Sequence, residues 1–146
     1  MKAFAVSAMA AAALMAGPAE AQTAIQPGLW ETTDQTTMEG VQPIPLASKR
    51  VCLKANEAQL ERLIFPPPEE AAQHGCKFQE GPRQPGVLRA GISCPPTDEI
   101  AGIDASAEIT FTATSYEGLG QLLARDKAGT TIKGSSVLNG KRVGDC

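Results

Sequence analysis

Polar and apolar residues alternate strictly over residues 103–114. Ile103, Ala105, Ala107, Ile109, Phe111 and Ala113 fall on one side, and Asp104, Ser106, Glu108, Thr110, Thr112 and Thr114 on the other. A period of two predicts a strand with one buried and one wet face, an arrangement that antiparallel sheets accept and parallel ones seldom do. Residues 28–38 carry Trp30, Thr32, Thr36 and Met38 on one parity and predict a half-exposed strand. Residues 49–53 predict a second, with Val51 and Leu53 on one side and Cys52 on the other. A helix is expected over 56–64: Asn56 stands at the cap, Gln59 takes the capping-box position, and Leu60, Leu63 and Ile64 form a stripe at i, i+3, i+4. Pro66-Pro67-Pro68 ends it, and residues 69–75 hold room for a further turn. Residues 76–80 and 87–94 read as a hairpin around a loop containing Gly81, Pro82, Pro85 and Gly86. Residues 116–125 fit a strand better than a helix, because Gly118 and Gly120 weaken a helix by about 1 kcal/mol each. A last strand is expected over 130–138, ended by the turn signal Asn139-Gly140. Strands in series with one inserted helix predict a mainly β (α+β) fold. Its form is a curved antiparallel meander, half-closed around one core, with a short helix near 56–64.

The first 21 residues depart from this pattern. Lys2 is followed by an apolar run over 3–16, then Gly17 and Pro18, then Ala19-Glu20-Ala21. That order is the n-region, h-region and small-x-small cleavage site of a secretory signal peptide, and the run is too short to span a bilayer. The expected domains are therefore a signal peptide at 1–21 and one β-rich domain at 22–146. The mature chain is expected in the periplasm or secreted, without a transmembrane segment. The formal net charge is −3, which gives no basic excess for nucleic acid.

Four cysteines, at 52, 76, 94 and 146, form no CxxC pair. In an oxidising compartment this points to disulfides rather than zinc or thioredoxin-like chemistry. Three pairings are open. Cys76 and Cys94 bracket the predicted hairpin, so they are expected to pair, which leaves Cys52 to tie down Cys146. The alternatives, 52–76 with 94–146 or 52–94 with 76–146, would splay that hairpin.

Pro27-Gly28-Leu29-Trp30-Glu31, Val51-Cys52-Leu53 and the run from Gly140 to Cys146, with Cys76 and Cys94 between them, resemble a family of short exported bacterial proteins classed as a domain of unknown function. Ser115-Tyr116-Glu117-Gly118 is similar to a late segment of that family. The resemblance implies export and a disulfide-bearing β-rich domain, and it implies no activity.

Catalytic chemistry finds little support. His74 is the single histidine, no GxSxG accompanies it, and it reads as a loop residue. Asp104 and Glu108 share a strand face about 13 Å apart, too far for a glycosidase pair. No catalytic residue, metal or cofactor is expected. Trp30 and Tyr116 are the candidate ligand or partner contacts, although Trp30 reads first as the anchor of the first strand against the core. The leading expectation is a non-enzymatic periplasmic protein that binds a small apolar ligand on its sheet. An envelope interaction or structural module, and a hydrolase with an unrecognised site, are the alternatives.

Overall fold

The computed structural model describes residues 23–98 and 102–146. The expected signal peptide and its cleavage site lie outside the described residues. Seven strands among the described residues form one antiparallel sheet: β1 Gly28–Met38, β2 Ala47–Leu53, β3 Lys77–Glu80, β4 Val87–Cys94, β5 Gly102–Phe111, β6 Ser115–Arg125 and β7 Thr131–Gly144. Their order in space is β2-β1-β7-β6-β5-β4-β3. A meander runs from β3 to β7. The chain's first strand then closes against its last, with Thr32 opposite Gly140 and Thr36 opposite Ser136. The sheet stays open, with β2 and β3 as its edges.

One face carries the core. Trp30, Leu53, Leu88, Ile109 and Tyr116 point there from five strands, and Ile25, Leu60 and Leu63 close over them from the segments outside the sheet. The alternation in β5 has the expected parity. Only Ile109 is fully enclosed, however, while Ala107 and Phe111 are half-buried. Trp30 has no exposed surface, and its Nε1 donates to the Gln26 carbonyl at 2.9 Å. Tyr116 stacks against it with ring centroids 6.3 Å apart.

Two expectations change. The nine-residue helix over 56–64 contracts to a 3-10 turn, Ala55–Glu57, and one helical turn, α1, Glu61–Ile64. Asn56 does not cap it, and the residue before α1 is Leu60, without a side-chain cap. The backbone at 58–60 is engaged elsewhere: Ile25 N–H donates to the Ala58 carbonyl and Leu60 N–H to the Thr23 carbonyl. Residues already bridged to the N-terminal lead cannot also supply a helical ladder. The further turn after the triple proline is α2, Pro68–Gln73, with Pro68 at its first position, where a missing N–H costs nothing. The second change is at Asn139-Gly140, which is not a turn but the middle of β7, paired with β1 on one side and β6 on the other.

Gly140 shows why. A Cβ there would stand 2.1 Å from Cε1 of Tyr116, so the glycine is the floor on which the tyrosine ring lies. Packing, not turn chemistry, places it. The cysteines join as Cys52–Cys146 and Cys76–Cys94, with Cα atoms 5.6 and 4.1 Å apart. The first bond ties the end of β7 to edge strand β2, across β1. The second closes the open end of the β3–β4 hairpin.

Candidate functional site

The strongest candidate site forms where the α1 segment meets the β3–β4 hairpin. Leu60 and Leu63 are drawn into the core, which turns the intervening Glu61 toward the hairpin. The hairpin is held in register by Phe78 opposite Ile92 and Glu80 opposite Ala90. Its loop, residues 81–86, folds back so that Gly81 N–H donates to the Arg89 carbonyl at 2.8 Å.

Two pockets adjoin here. A polar cleft of about 280 Å³ is bounded by Thr23, Gln59, Glu61, Glu80, Arg83 and Arg89. An apolar pocket of about 300 Å³ is bounded by Phe65, Pro66, Pro68, Phe78, Leu88 and Ala90. Phe65 and Phe78 meet edge to face, 5.8 Å between centroids, and Phe78 is 41% exposed. Gln59, Glu61, Glu80 and Leu88 border both pockets and form the wall between them.

The charges in this wall are unequally matched. Arg83 donates to Glu80 at 2.8 Å. Arg89 donates to Glu108 at 2.7 Å and to Gln84 at 2.8 Å. The hydrogen bond and charge of Glu80 raise the Arg83 pKa above its ordinary value, and the charge of Glu61 adds to the effect. Glu61 Oε2, in contrast, is buried and accepts no hydrogen bond from the described residues. Buried polar atoms are nearly always paired, because an unpaired acceptor forfeits its hydration without return. This one sits at the junction of two pockets.

A larger depression, about 610 Å³, lies over the end of β5 and β6 and is bordered by Glu31, Thr33, Tyr116, Glu117, Asn139 and Lys141 among others. It is open to solvent. Several of its polar groups serve one another or the backbone: Glu31 takes Arg50 at 3.3 Å, and Thr112 and Ser115 share a hydrogen bond of 2.8 Å. It has the character of a solvated sheet face.

The sequence-derived candidates fall elsewhere. Trp30 is enclosed in the core and presents no surface to a ligand or partner. Tyr116 is 6% exposed and borders the open depression. Burial raises its phenol to about 12, and the charge of Asp34 adds to the shift. The four cysteines are all in disulfides. His74 follows α2 and is exposed, outside both pockets of the wall. Asp104 pairs with Arg125 and accepts from Ser93 at 2.5 Å, while Glu108 pairs with Arg89. Glu61, Phe65, Phe78 and Leu88 were not singled out from the sequence. Glu61 stands inside the apolar stripe 60–64, and a carboxylate flanked by buried leucines was the available signal.

The strings that carry the family resemblance meet in space and do structural work. A Cβ on Gly28, whose φ is +136°, would lie 2.5 Å from the Gly144 carbonyl oxygen and 2.7 Å from Arg142 Nε. Arg142 Nε donates to the Pro27 carbonyl at 2.7 Å. The start of β1 and the end of β7 thus lock together, and Cys52–Cys146 completes the clasp. No helix among the described residues is long and apolar enough to cross a membrane, and no His, Cys, Asp and Glu cluster among them is fit to hold a metal ion. The family model described as "Protein of unknown function (DUF3617)" matches residues 25–146, and the chain belongs to that family. No curated protein and no solved structure matches it.

Proposed function

We propose that this member of the DUF3617 family is an extracytoplasmic, non-enzymatic binding protein whose ligand seats between α1 and the β3–β4 hairpin. The observation that carries the reading is the buried, unpartnered Oε2 of Glu61 at the wall shared by a polar and an apolar pocket. Ligand sites combine apolar lining with a few convergent polar groups, and this wall has both. The two disulfides and the signal-peptide pattern favour an oxidising compartment. The covered face of the sheet is filled by Trp30, Tyr116, Ile109 and Leu60, which moves the ligand from that face to its margin.

Amide NMR with a set of small cationic, neutral and anionic fragments tests this. Shifts that cluster on Glu61, Phe65, Phe78 and Leu88 support the site. A set in which no fragment perturbs those residues at millimolar concentration refutes it. A second reading, an interaction module of the envelope, draws on Val41, Ile44 and Leu46, three exposed aliphatic side chains in the connection between β1 and β2. Retention of an envelope protein by the wild type but not by a triple Ser variant of that loop would favour it.

A further inference from the structure

Resting on that binding site, we infer that its ligand is an apolar primary amine, with its ammonium on Glu61 and its hydrocarbon body against Phe65, Phe78 and Leu88. The sign of the ligand follows from what remains unpaired. Arg83 is engaged by Glu80 and Arg89 by Glu108, so each of those carboxylates already has a cation. Glu61 Oε2 has no hydrogen-bond donor among the described residues, and Arg83, the cation its carboxylate acts on, donates to Glu80 instead. An ionised carboxylate only accepts, and the hydrogen bond it lacks is strongest from a charged donor.

The head group follows from geometry. A guanidinium binds a carboxylate through two parallel N–H groups, and only one Glu61 oxygen is buried without a partner. An ammonium is compact and turns its three donors freely. A turn of the Glu61 side chain that opens Oε2 to the pocket lets one of them meet it, with Gln59 and Glu80 on the same wall. Arg62 also borders the apolar pocket, so the general charge of the region does not select a cation. The single contact at the buried oxygen does.

The body follows from the neighbouring pocket. Its apolar lining is two phenylalanines, two prolines, Leu88 and Ala90, with Gln59, Glu61, Arg62, Gln79 and Glu80 at the polar side. Its volume, about 300 Å³, exceeds the roughly 150 Å³ that suffices for benzene in an apolar cavity. A ligand that spans the wall joins a charged head to an aromatic or branched aliphatic group within a few bonds. Free arylalkylamines and the N-terminal residue of a peptide that begins with an apolar amino acid both have this chemistry.

Titration calorimetry and amide NMR on the disulfide-intact chain separate the outcomes. The probes are 2-phenylethylamine, 2-phenylethanol, 3-phenylpropionate, and a Phe-Gly-Gly amide with a free or acetylated N-terminus. The amine is expected to bind at least about tenfold more tightly than the alcohol or the acid, as one hydrogen bond to a charged group implies. Glu61→Gln is expected to erase that preference and keep the weak alcohol binding. Glu61→Asp keeps the charge and retains part of the preference. Phe78→Ala weakens all probes. Tighter binding of the free peptide than of the amine, lost on acetylation, names a peptide N-terminus as the source, and the reverse order names a free amine. Equal or tighter binding of the alcohol or the acid at Glu61, Phe78 and Leu88 overturns the amine and leaves the binding site standing. Failure of every probe to perturb those residues overturns both.

Discussion

Replacing Gly140 by alanine adds one methyl group where there is no room for it. The new Cβ would lie 2.1, 2.5 and 2.8 Å from Cε1, Cζ and Cδ1 of Tyr116, well inside carbon–carbon contact distance. The tyrosine ring must leave its place on β7, and with it the stack on Trp30. Forced insertion into a packed core costs about 1–3 kcal/mol, and an aromatic pair is worth about 0.5–1.5 kcal/mol beyond its buried area. Removing a glycine from a strand returns about 0.5–1 kcal/mol. The expected net loss is about 2 kcal/mol, the balance of those terms at the middle of their ranges.

Urea unfolding followed by tryptophan emission measures this, since Trp30 is the single tryptophan and one member of the affected stack. Gly144→Ala is the control: nothing lies within 4 Å of its added Cβ, and it should change stability by no more than about 0.5 kcal/mol, as open surface substitutions do. In a Tyr116→Ala background the cost of Gly140→Ala should disappear, because the two residues are in contact and their effects couple. An unchanged cost in that background would refute the account of Gly140 as the floor of Tyr116.

Two further predictions concern the clasp and the buried phenol. Loss of Cys52–Cys146, which closes a separation of 94 residues, should cost more than loss of Cys76–Cys94, which closes 18. The chain-entropy model gives about 4.5 against about 3 kcal/mol, and denaturant midpoints of the paired Cys→Ser variants check the order. Tyr116 is the single tyrosine, so absorbance at the phenolate wavelength after a rapid pH jump reads it directly. Its midpoint should stand near 12. The unfolded chain releases this proton near 10 and the folded chain later, so folded stability is full below pH 10 and falls as the pH rises from 10 toward 12. A midpoint at 10 in the folded protein would contradict the enclosure of the ring.

The parts of the fold that were legible in the sequence are those fixed by alternation. β5 has the expected parity because Ile109 and its neighbours read the same way in one dimension as in three. β6 was legible as a strand because Gly118 and Gly120 speak against a helix. The disulfides followed once the 76–80 and 87–94 segments were read as a hairpin. The errors came where a distant segment claims the backbone. The helical stripe of Leu60, Leu63 and Ile64 starts in a segment where Thr23 and Ile25 take the hydrogen bonds of Leu60 and Ala58. Asn139-Gly140 is a strong local turn signal, and a tyrosine on the neighbouring strand overrides it. Neither Thr23 nor Tyr116 is close in sequence to the residue it controls, so no local pattern reveals the conflict.

The same reasoning explains why the candidate site was hidden. Its six or so contributing residues come from α1, β3, β4 and the loops beside them, and only the β3–β4 part is local. Phe78 reads from the sequence as one apolar residue in a short polar strand, KFQE. It becomes meaningful when Phe65 is found against it. Glu61 reads as an ordinary helix charge until Leu60 and Leu63 are both seen in the core. A charge enclosed that way lowers stability unless something meets it, and sequences that specify a single structure tend to break local rules where function requires it. Tyr116 and Trp30, the residues that stood out by type, turned out to hold the sheet together. Residue type marked the core, and it is an unanswered hydrogen bond that marks the candidate site.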